Sequence, residues 1–230
     1  NKICVAYNNV EKIIKSNNTI LTGNPLNPNF INNKSILNNN QIKNKLGIKT
    51  NKKIILFLGG SQGANAINKH VYKNIDFYIK NNCQIILQCG EKNYNYIPKN
   101  IKKDENIIIK KFLIEGSNWN MFNVCKIADL VIARAGALTI SELTFMNKAI
   151  ILIPYKYAAD NHQKINAQEL KNKNACIIVN ENELKNGKLE KEINALYNLN
   201  KIKILEKNSA KVSFPNAAQD IYNEIISIIK

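Results

Sequence analysis

Arginine and histidine are scarce in this sequence of 230 residues, which contains one arginine, Arg134, and two histidines. The five cysteines form no CxxC pair, and neither histidine has a metal-ligand spacing to them. We therefore expect no metal site and no cofactor. Each cysteine lies within two residues of isoleucine, valine or leucine, which is typical of small buried apolar side chains in a reducing compartment.

Long apolar runs are also missing from the sequence. No run approaches the roughly 18–20 residues that a membrane-spanning helix needs. The first residues, NKICVAYNN, include no starting methionine and do not have the pattern of a signal peptide. We expect this sequence to be a piece of a longer chain. Within the 230 residues we expect no membrane-spanning segment.

The charge balance is strongly basic, with 33 lysines and arginines against 17 acidic residues and a net charge of +16. A nucleic-acid-binding protein is one interpretation of this charge. However, the lysines are scattered, aromatic residues make up only 7% of the chain, and no nucleic-acid-binding motif is present. The chain also has 41 asparagines and 38 isoleucines, so we attribute the lysine excess to a background compositional bias and expect no nucleic-acid partner.

Short runs of isoleucine, leucine and valine alternate with segments of helical periodicity. The predicted core strands cover residues 53–58, 83–88, 106–109, 129–133, 149–153 and 175–179. Strands that are apolar throughout and separated by helices are typical of a parallel sheet with helices on both faces. The sequence therefore predicts an α/β, Rossmann-like fold, in which ligands bind at the carboxyl edge of the sheet.

The first candidate ligand loop is GGSQGA, residues 59–64, between a predicted strand and a helix predicted over 64–80. Glycine permits positive φ and a close approach of ligand to backbone, and a helix N-terminus attracts phosphate. Ser61 would add a hydroxyl donor to a phosphate site. The alternative is a tight structural turn in which Ser61 caps the helix.

The second candidate loop, RAGALT at residues 134–139, contains the single arginine. Its guanidinium can bind phosphate or carboxylate through a planar fork that lysine lacks. The alternative is a structural ion pair between Arg134 and Glu142. Glu142 lies on the helix predicted to follow this loop, and there it would suit ribose hydroxyls.

The third candidate loop runs into DNHQKINA, residues 160–167. Gln163 and Asn166 are three residues apart and share one face of a predicted helix. Their amides can both donate and accept hydrogen bonds, as sugar hydroxyls require. For His162 we expect no catalytic role.

Taken together, GGSQGAxxxN, ADLVIARAGALTISEL and DNHQxxNA closely resemble the MurG family of peptidoglycan glycosyltransferases, as does TGNP at residues 22–25. The resemblance covers essentially the whole chain but about the C-terminal two-thirds of the family's length. It implies a GT-B fold, made of two Rossmann-like domains with a cleft between them. Residues 1–22 would be the tail of the N-terminal acceptor domain, 23–214 the UDP-sugar-binding domain, and 215–230 a helix that returns to the first domain.

The resemblance also implies an activity and its partners. The family transfers GlcNAc from UDP-GlcNAc to undecaprenyl-diphosphate-linked MurNAc-pentapeptide at the cytoplasmic face of the bacterial membrane. This chain would supply the donor site and contact an anionic membrane surface, and the catalytic base would lie outside it. The implied substrate-binding residues are Gly60, Ser61, Gln62, Gly63, Leu113, Met121, Arg134, Ala137, Leu138, Thr139, Glu142, Gln163 and Asn166.

Within this set the resemblance implies different tasks. Ser61 and Gln62 would contact the diphosphate or nucleotide, and Leu113 and Met121 would border the uracil. Arg134 would lie in the nucleotide crevice, where residues 137–139 would offer donors at the helix start. Glu142 would hold the ribose, and Gln163 and Asn166 would contact the GlcNAc hydroxyls.

This sequence departs from the family pattern in two places. Asn27 stands where the family has an arginine after TGNP, and the segment between Phe112 and Met121 carries extra residues. Two rival interpretations stay open on the sequence. One is another GT-B enzyme that uses a different UDP-sugar or lipid acceptor, and the other is a sugar-nucleotide-binding remnant without catalytic activity.

Overall fold

A computed structural model of the chain describes residues 2–7, 14, 16, 18–32, 37–48, 51–60 and 62–229. The strands are β1 (Ile3–Val5), β2 (Thr19–Leu21), β3 (Lys53–Leu58), β4 (Cys83–Gln88), β5 (Ile107–Lys110), β6 (Leu130–Ala133), β7 (Ile150–Leu152) and β8 (Ile177–Ile178). The helices are α1 (Pro28–Asn32), α2 (Asn39–Lys45), α3 (Asn65–Lys73), α4 (Ile75–Lys80), α5 (Glu91–Tyr94), α6 (Lys99–Lys102), α7 (Met121–Ile127), α8 (Ala137–Phe145), α9 (His162–Asn172), α10 (Lys188–Asn198), α11 (Ile202–Lys211) and α12 (Ala217–Ile229). Short 3-10 helices cover Ala159–Asn161 and Glu181–Asn186.

Strands β3 to β8 form one six-stranded sheet in the order β5-β4-β3-β6-β7-β8, and every neighbouring pair is parallel. Ile55 and Phe57 of β3 pack into the apolar core on one face of this sheet, and Ile54 and Leu56 pack into the core on the other. Apolar side chains at consecutive positions are therefore required, because both faces are covered by helices. The predicted Rossmann-like α/β fold is confirmed.

Strands β1 and β2 pair in parallel with each other and form a separate two-stranded sheet. Cys4 in β1 is exposed, whereas the other four cysteines are buried. The prediction that all cysteines are buried was thus wrong for Cys4, because this small sheet does not cover it. The division of the chain at residues 22 and 214 stays a prediction.

Several predicted element boundaries were wrong. The helix predicted over 64–80 is two helices, because Asn74 leaves helical geometry (φ −111°, ψ 22°). Its amide Nδ2 donates to the carbonyl oxygen of His70 at 2.8 Å, a local bond that competes with continuation of the helix. Strands β7 and β8 are shorter than the predicted strands 149–153 and 175–179, and they pair with each other over two residues only.

The start of α2 was also misplaced. The sequence predicts one helix around residues 35–46 in an asparagine-rich loop, whereas α2 begins at Asn39; residues 33–36 lie outside the described part of the chain. Asn38 forms a capping box, in which its Oδ1 accepts from the Gln41 backbone at 3.0 Å and its backbone N–H donates to Gln41 Oε1 at 2.8 Å. These two bonds satisfy helix-end donors and fix the first turn.

The loop after β3 packs tightly against the loop after β4. Gly63 has φ +73°, and a Cβ atom there would lie 2.1 Å from the carbonyl oxygen of Cys89. A Cβ on Gly90 would lie 2.6 Å from the Cα of Gly63. Only glycines permit this approach, which holds the first candidate ligand loop against the sheet.

We predict that Gly63→Ala costs much more stability than Gly47→Ala. Gly47 also has positive φ, at +70°, but a Cβ there would have nothing within 4 Å. Both variants pay roughly 1–2 kcal/mol for a left-handed alanine, and only Gly63→Ala adds a backbone clash. Urea denaturation measures both losses of unfolding free energy, and equal losses would contradict the packing described.

Candidate functional site

The three candidate ligand loops meet at the carboxyl edge of the large sheet. The backbone N–H of Arg134 donates to the Leu58 carbonyl at 3.3 Å, which joins the end of β6 to the end of β3. Gln88, the last residue of β4, donates from Nε2 to the Gly60 carbonyl at 3.3 Å. Parallel strands place these ends side by side, so the loops predicted from separate motifs form one surface.

The first loop presents open backbone at Gly60 and the exposed residue Gln62. Gly60 has φ +76° and open space where a Cβ would be, and Gln62 is exposed. Helix α3 follows, and its N-cap residue Ala64 provides no side-chain cap. The N–H groups of this first turn can therefore receive an anion. Ser61 lies outside the described residues, so its predicted phosphate contact is not described.

The second loop leads into another uncapped helix. Gly136 is the N-cap of α8 and makes no side-chain cap bond. Ala137 and Thr139 are half-buried in the first turn, and Leu138 is exposed. Two helix N-termini, those of α3 and α8, therefore open onto the same edge of the sheet, where their dipoles favour negative charge.

Arg134 is held by partners within the chain. Its guanidinium lies 2.8 Å from Glu181 Oε2 and donates to the Ile153 carbonyl at 3.1 Å. It also lies 5.3 Å from the ring centroid of Tyr155, within cation–π range. The ion pair considered from the sequence was with Glu142, and the structure forms it with Glu181 instead. The predicted contact of Arg134 with a nucleotide stays a prediction.

Gln163 and Asn166 join the second and third loops. Gln163 Oε1 accepts from the backbone N–H groups of Ala135, at 3.2 Å, and Tyr155, at 3.0 Å. Asn166 Nδ2 is buried and donates to the Ala135 carbonyl at 3.1 Å. Both amides thus position the loops, a structural role that sequence reasoning missed. Their predicted contacts with sugar hydroxyls stay predictions, and Gln163 Nε2 makes no hydrogen bond to the described residues.

Another motif residue with a structural role is Asn68, the last position of GGSQGAxxxN. Its side chain is buried, and Nδ2 donates to the Cys89 carbonyl at 2.9 Å. Asn93 Nδ2 donates to the same oxygen at 3.0 Å. Together with the close approach at Gly63, these bonds fix the loop after β4 beneath the first ligand loop.

A cavity of about 170 Å³ lies beside this edge and brings together three predicted site residues, Leu113, Met121 and Glu142. Asn27 and Glu115 also line it. Asn27 Nδ2 donates to Glu115 Oε2 at 3.0 Å. Sequence reasoning missed Glu115, which lies in the extra segment after Phe112, and Asn27 contacts it from the position where the family resemblance leads one to expect arginine.

Burial, and to a smaller extent the nearby carboxylate of Glu115, raises the pKa of Glu142 to about 7. A carboxyl with such a pKa is half-protonated near neutral pH. Shifted carboxyls are frequent at functional sites. Glu142 is thus a half-buried acid that lines a small cavity and whose ionisation costs free energy.

We predict that Glu142→Gln stabilises the fold at pH 8 but not at pH 4. The folded-state pKa lies above the unfolded value, so native Glu142 binds more protons and wild-type stability falls as pH rises from about 4.5 to about 7. Glutamine removes this loss, which we put at about 1–3 kcal/mol. Thermal unfolding of both proteins at the two pH values measures it.

The exposed Glu105→Gln is the matched control for that comparison. It removes one carboxylate from a solvated position and should not alter stability in the same pH-dependent way. A gain in stability from Glu142→Gln that is the same at pH 4 and pH 8 would contradict a Glu142 carboxyl with a raised pKa.

Two features are absent from the described part of the chain, a cluster of metal-ligating side chains and a helix able to cross a membrane. Its histidine, cysteine, aspartate and glutamate side chains form no group of three or more able to hold a metal ion. None of its helices has both the length and the apolar character needed to cross a membrane.

The parallel sheet, the glycine turns and the two open helix N-termini define a Rossmann-like domain of the type found in the C-terminal half of GT-B glycosyltransferases. Residues 54–223 match the model of the Glycosyltransferase family 28 C-terminal domain. The chain belongs to this family.

Curated relatives agree with the family match. One from Flavobacterium psychrophilum is 38% identical over 232 residues and is named UDP-N-acetylglucosamine--N-acetylmuramyl-(pentapeptide) pyrophosphoryl-undecaprenol N-acetylglucosamine transferase. A relative of the same name from Thermodesulfovibrio yellowstonii is 35% identical. The alignments cover 100% and 99% of this chain but 60% and 61% of the relatives. The chain therefore spans about three-fifths of their length, and the MurG resemblance of its motifs is confirmed.

Solved structures with the same fold include MurG of Acinetobacter baumannii, with a TM-score of 0.67 and 24% identity over 97% of this chain and 59% of that one. A putative UDP-N-acetylglucosamine 2-epimerase from Listeria monocytogenes has a TM-score of 0.68 at 11% identity, covering 100% of this chain and 60% of its own. At these identities the similarity shows the fold alone.

Proposed function

We propose that this chain is the donor-binding part of a glycosyltransferase that moves GlcNAc from UDP-GlcNAc to undecaprenyl-diphosphate-linked MurNAc-pentapeptide. The observation that carries the proposal is the Glu142 cavity beside two open helix N-termini, in a chain whose relatives are named for this reaction. The cavity suits a nucleoside and the helix ends suit its diphosphate.

In this proposal the donor lies across the carboxyl edge of the sheet. Leu113 and Met121 border the uracil, and Glu142 accepts hydrogen bonds from the ribose hydroxyls. The first turns of α3 and α8, including Gly60, Gln62, Gly63, Ala137, Leu138 and Thr139, provide donors for the diphosphate. Gln163 and Asn166, already anchored to the loops, face the sugar.

The reaction is an inverting displacement at the anomeric carbon of GlcNAc. A base removes the proton of the acceptor hydroxyl, the new glycosidic bond forms, and UDP leaves with the electrons of the broken bond. Backbone donors at the helix ends stabilise the charge that develops on UDP. We assign the base to the part of the relatives' length that this chain does not span.

Contacts at the two ends of the chain support the proposed domain division. Lys2 Nζ lies 2.5 Å from Glu224 Oε2 and donates to Ser227 Oγ at 2.9 Å, which joins the β1–β2 sheet to α12. A Cβ at Gly23 would lie 2.3 Å from the Cβ of Phe214. Residues 1–22 and 215–230 would thus belong with the acceptor domain, and the cluster at Gly23 would mark the boundary.

We further propose that the enzyme works peripherally at the cytoplasmic face of the membrane. The acceptor is lipid-linked, and a net charge of +16 favours an anionic surface. The rival GT-B interpretation changes only the sugar or the acceptor, since the nucleotide-binding geometry would be shared.

For donor binding we predict that Glu142→Ala weakens UDP-GlcNAc binding by about tenfold or more, since it removes the carboxylate that accepts hydrogen bonds from the ribose hydroxyls. Arg134→Lys should also weaken it, because the lysine side chain lacks the planar guanidinium that lies near the Tyr155 ring and holds Glu181 and the Ile153 carbonyl in fixed directions. Calorimetry with UDP-GlcNAc, UDP-GalNAc and UDP-glucose measures affinity and sugar preference.

Glu105→Ala is the control for these binding measurements, because it removes an exposed carboxylate away from the cavity. Wild-type affinity in both the Glu142 and Arg134 variants would refute the proposed site. A preference for UDP-glucose or UDP-GalNAc would favour the interpretation that the chain belongs to a GT-B enzyme with a different UDP-sugar.

For catalysis we predict that residues 1–230 alone transfer little or no GlcNAc to the lipid acceptor, although they bind the donor. Extension of the chain with the N-terminal domain of a relative should restore transfer, measured with radiolabelled UDP-GlcNAc. Transfer by residues 1–230 alone would contradict the placement of the base. An extended chain that binds UDP-GlcNAc without transfer would favour the non-catalytic remnant.

A further inference from the structure

A surface cleft of about 710 Å³ lies between α3 and the 3-10 helix Glu181–Asn186, and it shares no lining residue with the Glu142 cavity. A neighbouring hollow of about 550 Å³ shares Lys156, Glu181 and Asn182 with it. We call the two together the lysine cleft. Five lysines line it, from α3, the loop after β7, α9 and the 3-10 helix: Lys69, Lys73, Lys156, Lys164 and Lys185.

These lysines are not neutralised by carboxylates. The salt bridges among the described residues involve other lysines, such as Lys111 with Glu91 and Lys188 with Glu192. Lys156 lies 4.4 Å from the ring centroid of Tyr157, a contact that leaves its charge in place. The five ammonium groups are exposed and able to receive an anion.

The two carboxylates that line the cleft already have partners. Glu181 Oε2 lies 2.8 Å from Arg134 Nη1, and Glu190 Oε1 lies 3.3 Å from His70 Nε2. The His70 side chain is only 4% exposed. Its Nδ1 lies 3.3 Å from the Asn74 amide nitrogen, and burial lowers the pKa of His70 below its ordinary value, which favours the neutral imidazole.

The balance of charge in the cleft is therefore positive. With neutral His70, five lysines and Arg134 stand against Glu181 and Glu190, which leaves four positive charges. A concave surface lined by one sign of charge concentrates the opposite ion. Lysine ammonium groups bind phosphate as mobile point charges and do not need the planar geometry of a carboxylate–arginine pair.

We propose that the lysine cleft binds a phosphate-bearing anion at a second site, which shares no lining residue with the Glu142 cavity and borders the first turn of α3 at Asn65 and Ala66. The lysines of α3, of the loop after β7, of α9 and of the 3-10 helix together attract a phosphate or diphosphate group into the cleft. The inference does not rest on the proposed function, because it uses only the cleft and its own residues.

The test is calorimetric titration of inorganic diphosphate into the chain saturated with UDP, which fills the proposed nucleotide site. Lys69→Gln/Lys73→Gln removes two lysines one helical turn apart on α3. Lys207→Gln/Lys211→Gln makes the same change in net charge at the same spacing on α11, and both of its positions are exposed. We expect about tenfold weaker binding in the first variant and little change in the second.

Equal binding in the two double variants and the wild type would overturn the proposal, and so would an equal loss in both variants, which would indicate net charge alone. If UDP itself fails to bind the wild type, the proposed function fails, while the comparison of the double variants with diphosphate still decides the cleft. Thermal unfolding of each variant confirms that it is folded.

A second arm distinguishes the source of the phosphate. Co-sedimentation with phosphatidylglycerol vesicles, with phosphatidylcholine vesicles as the neutral comparison, tests a lipid headgroup. Loss of phosphatidylglycerol binding in Lys69→Gln/Lys73→Gln but not in Lys207→Gln/Lys211→Gln supports the cleft as a headgroup site. Unchanged vesicle binding, together with weakened diphosphate binding, supports it as a site for a soluble anion.

Discussion

The position of β3 at the centre of the sheet is the constraint on which the rest of the structure depends. It pairs in parallel with β4 on one side and β6 on the other, and five of its six residues are buried. A parallel strand needs a crossover to reach its neighbour, so each strand of the sheet ends at the same edge and turns there into a loop. The glycine turn after β3 and the arginine loop after β6 are adjacent for this reason, and the candidate site is a consequence of strand order.

That edge is held together mostly by amides and backbone atoms. Gln163 links the loops after β6 and β7 through one oxygen, and Asn68 and Asn93 share the Cys89 carbonyl beneath the glycine turn. Each of these bonds joins residues from different loops or elements, so together the amides hold the loops in one arrangement. Because the loops are already fixed, the backbone N–H groups in the first turns of α3 and α8 can bind a ligand without rearrangement.

The sequence was sufficient for the parts of the structure that follow from periodicity and local geometry. Strands β3 and β4 lie where their apolar runs predicted, because burial on both faces leaves a continuous signal. The break at Asn74 was missed, since one side-chain bond to a carbonyl decides it and the apolar spacing continues across it. The glycine turns were predictable, whereas the contact of Gly63 with the loop after β4 was not, because it joins residues that are distant in the chain.

Site residues divide in the same way. Leu113, Met121 and Glu142 were named from motifs and line one cavity, but Glu115 has no motif and is brought there only by the fold. Arg134 shows the limit most clearly. It is the single arginine in a chain with 32 lysines, which indicated a role that depends on its geometry. In the structure its guanidinium contacts Glu181 and the Ile153 carbonyl. One guanidinium nitrogen, Nη1, contacts both Glu181 and the Ile153 carbonyl, so the arginine serves where fixed donor directions matter, and the lysines of the adjacent cleft form no salt bridge among the described residues.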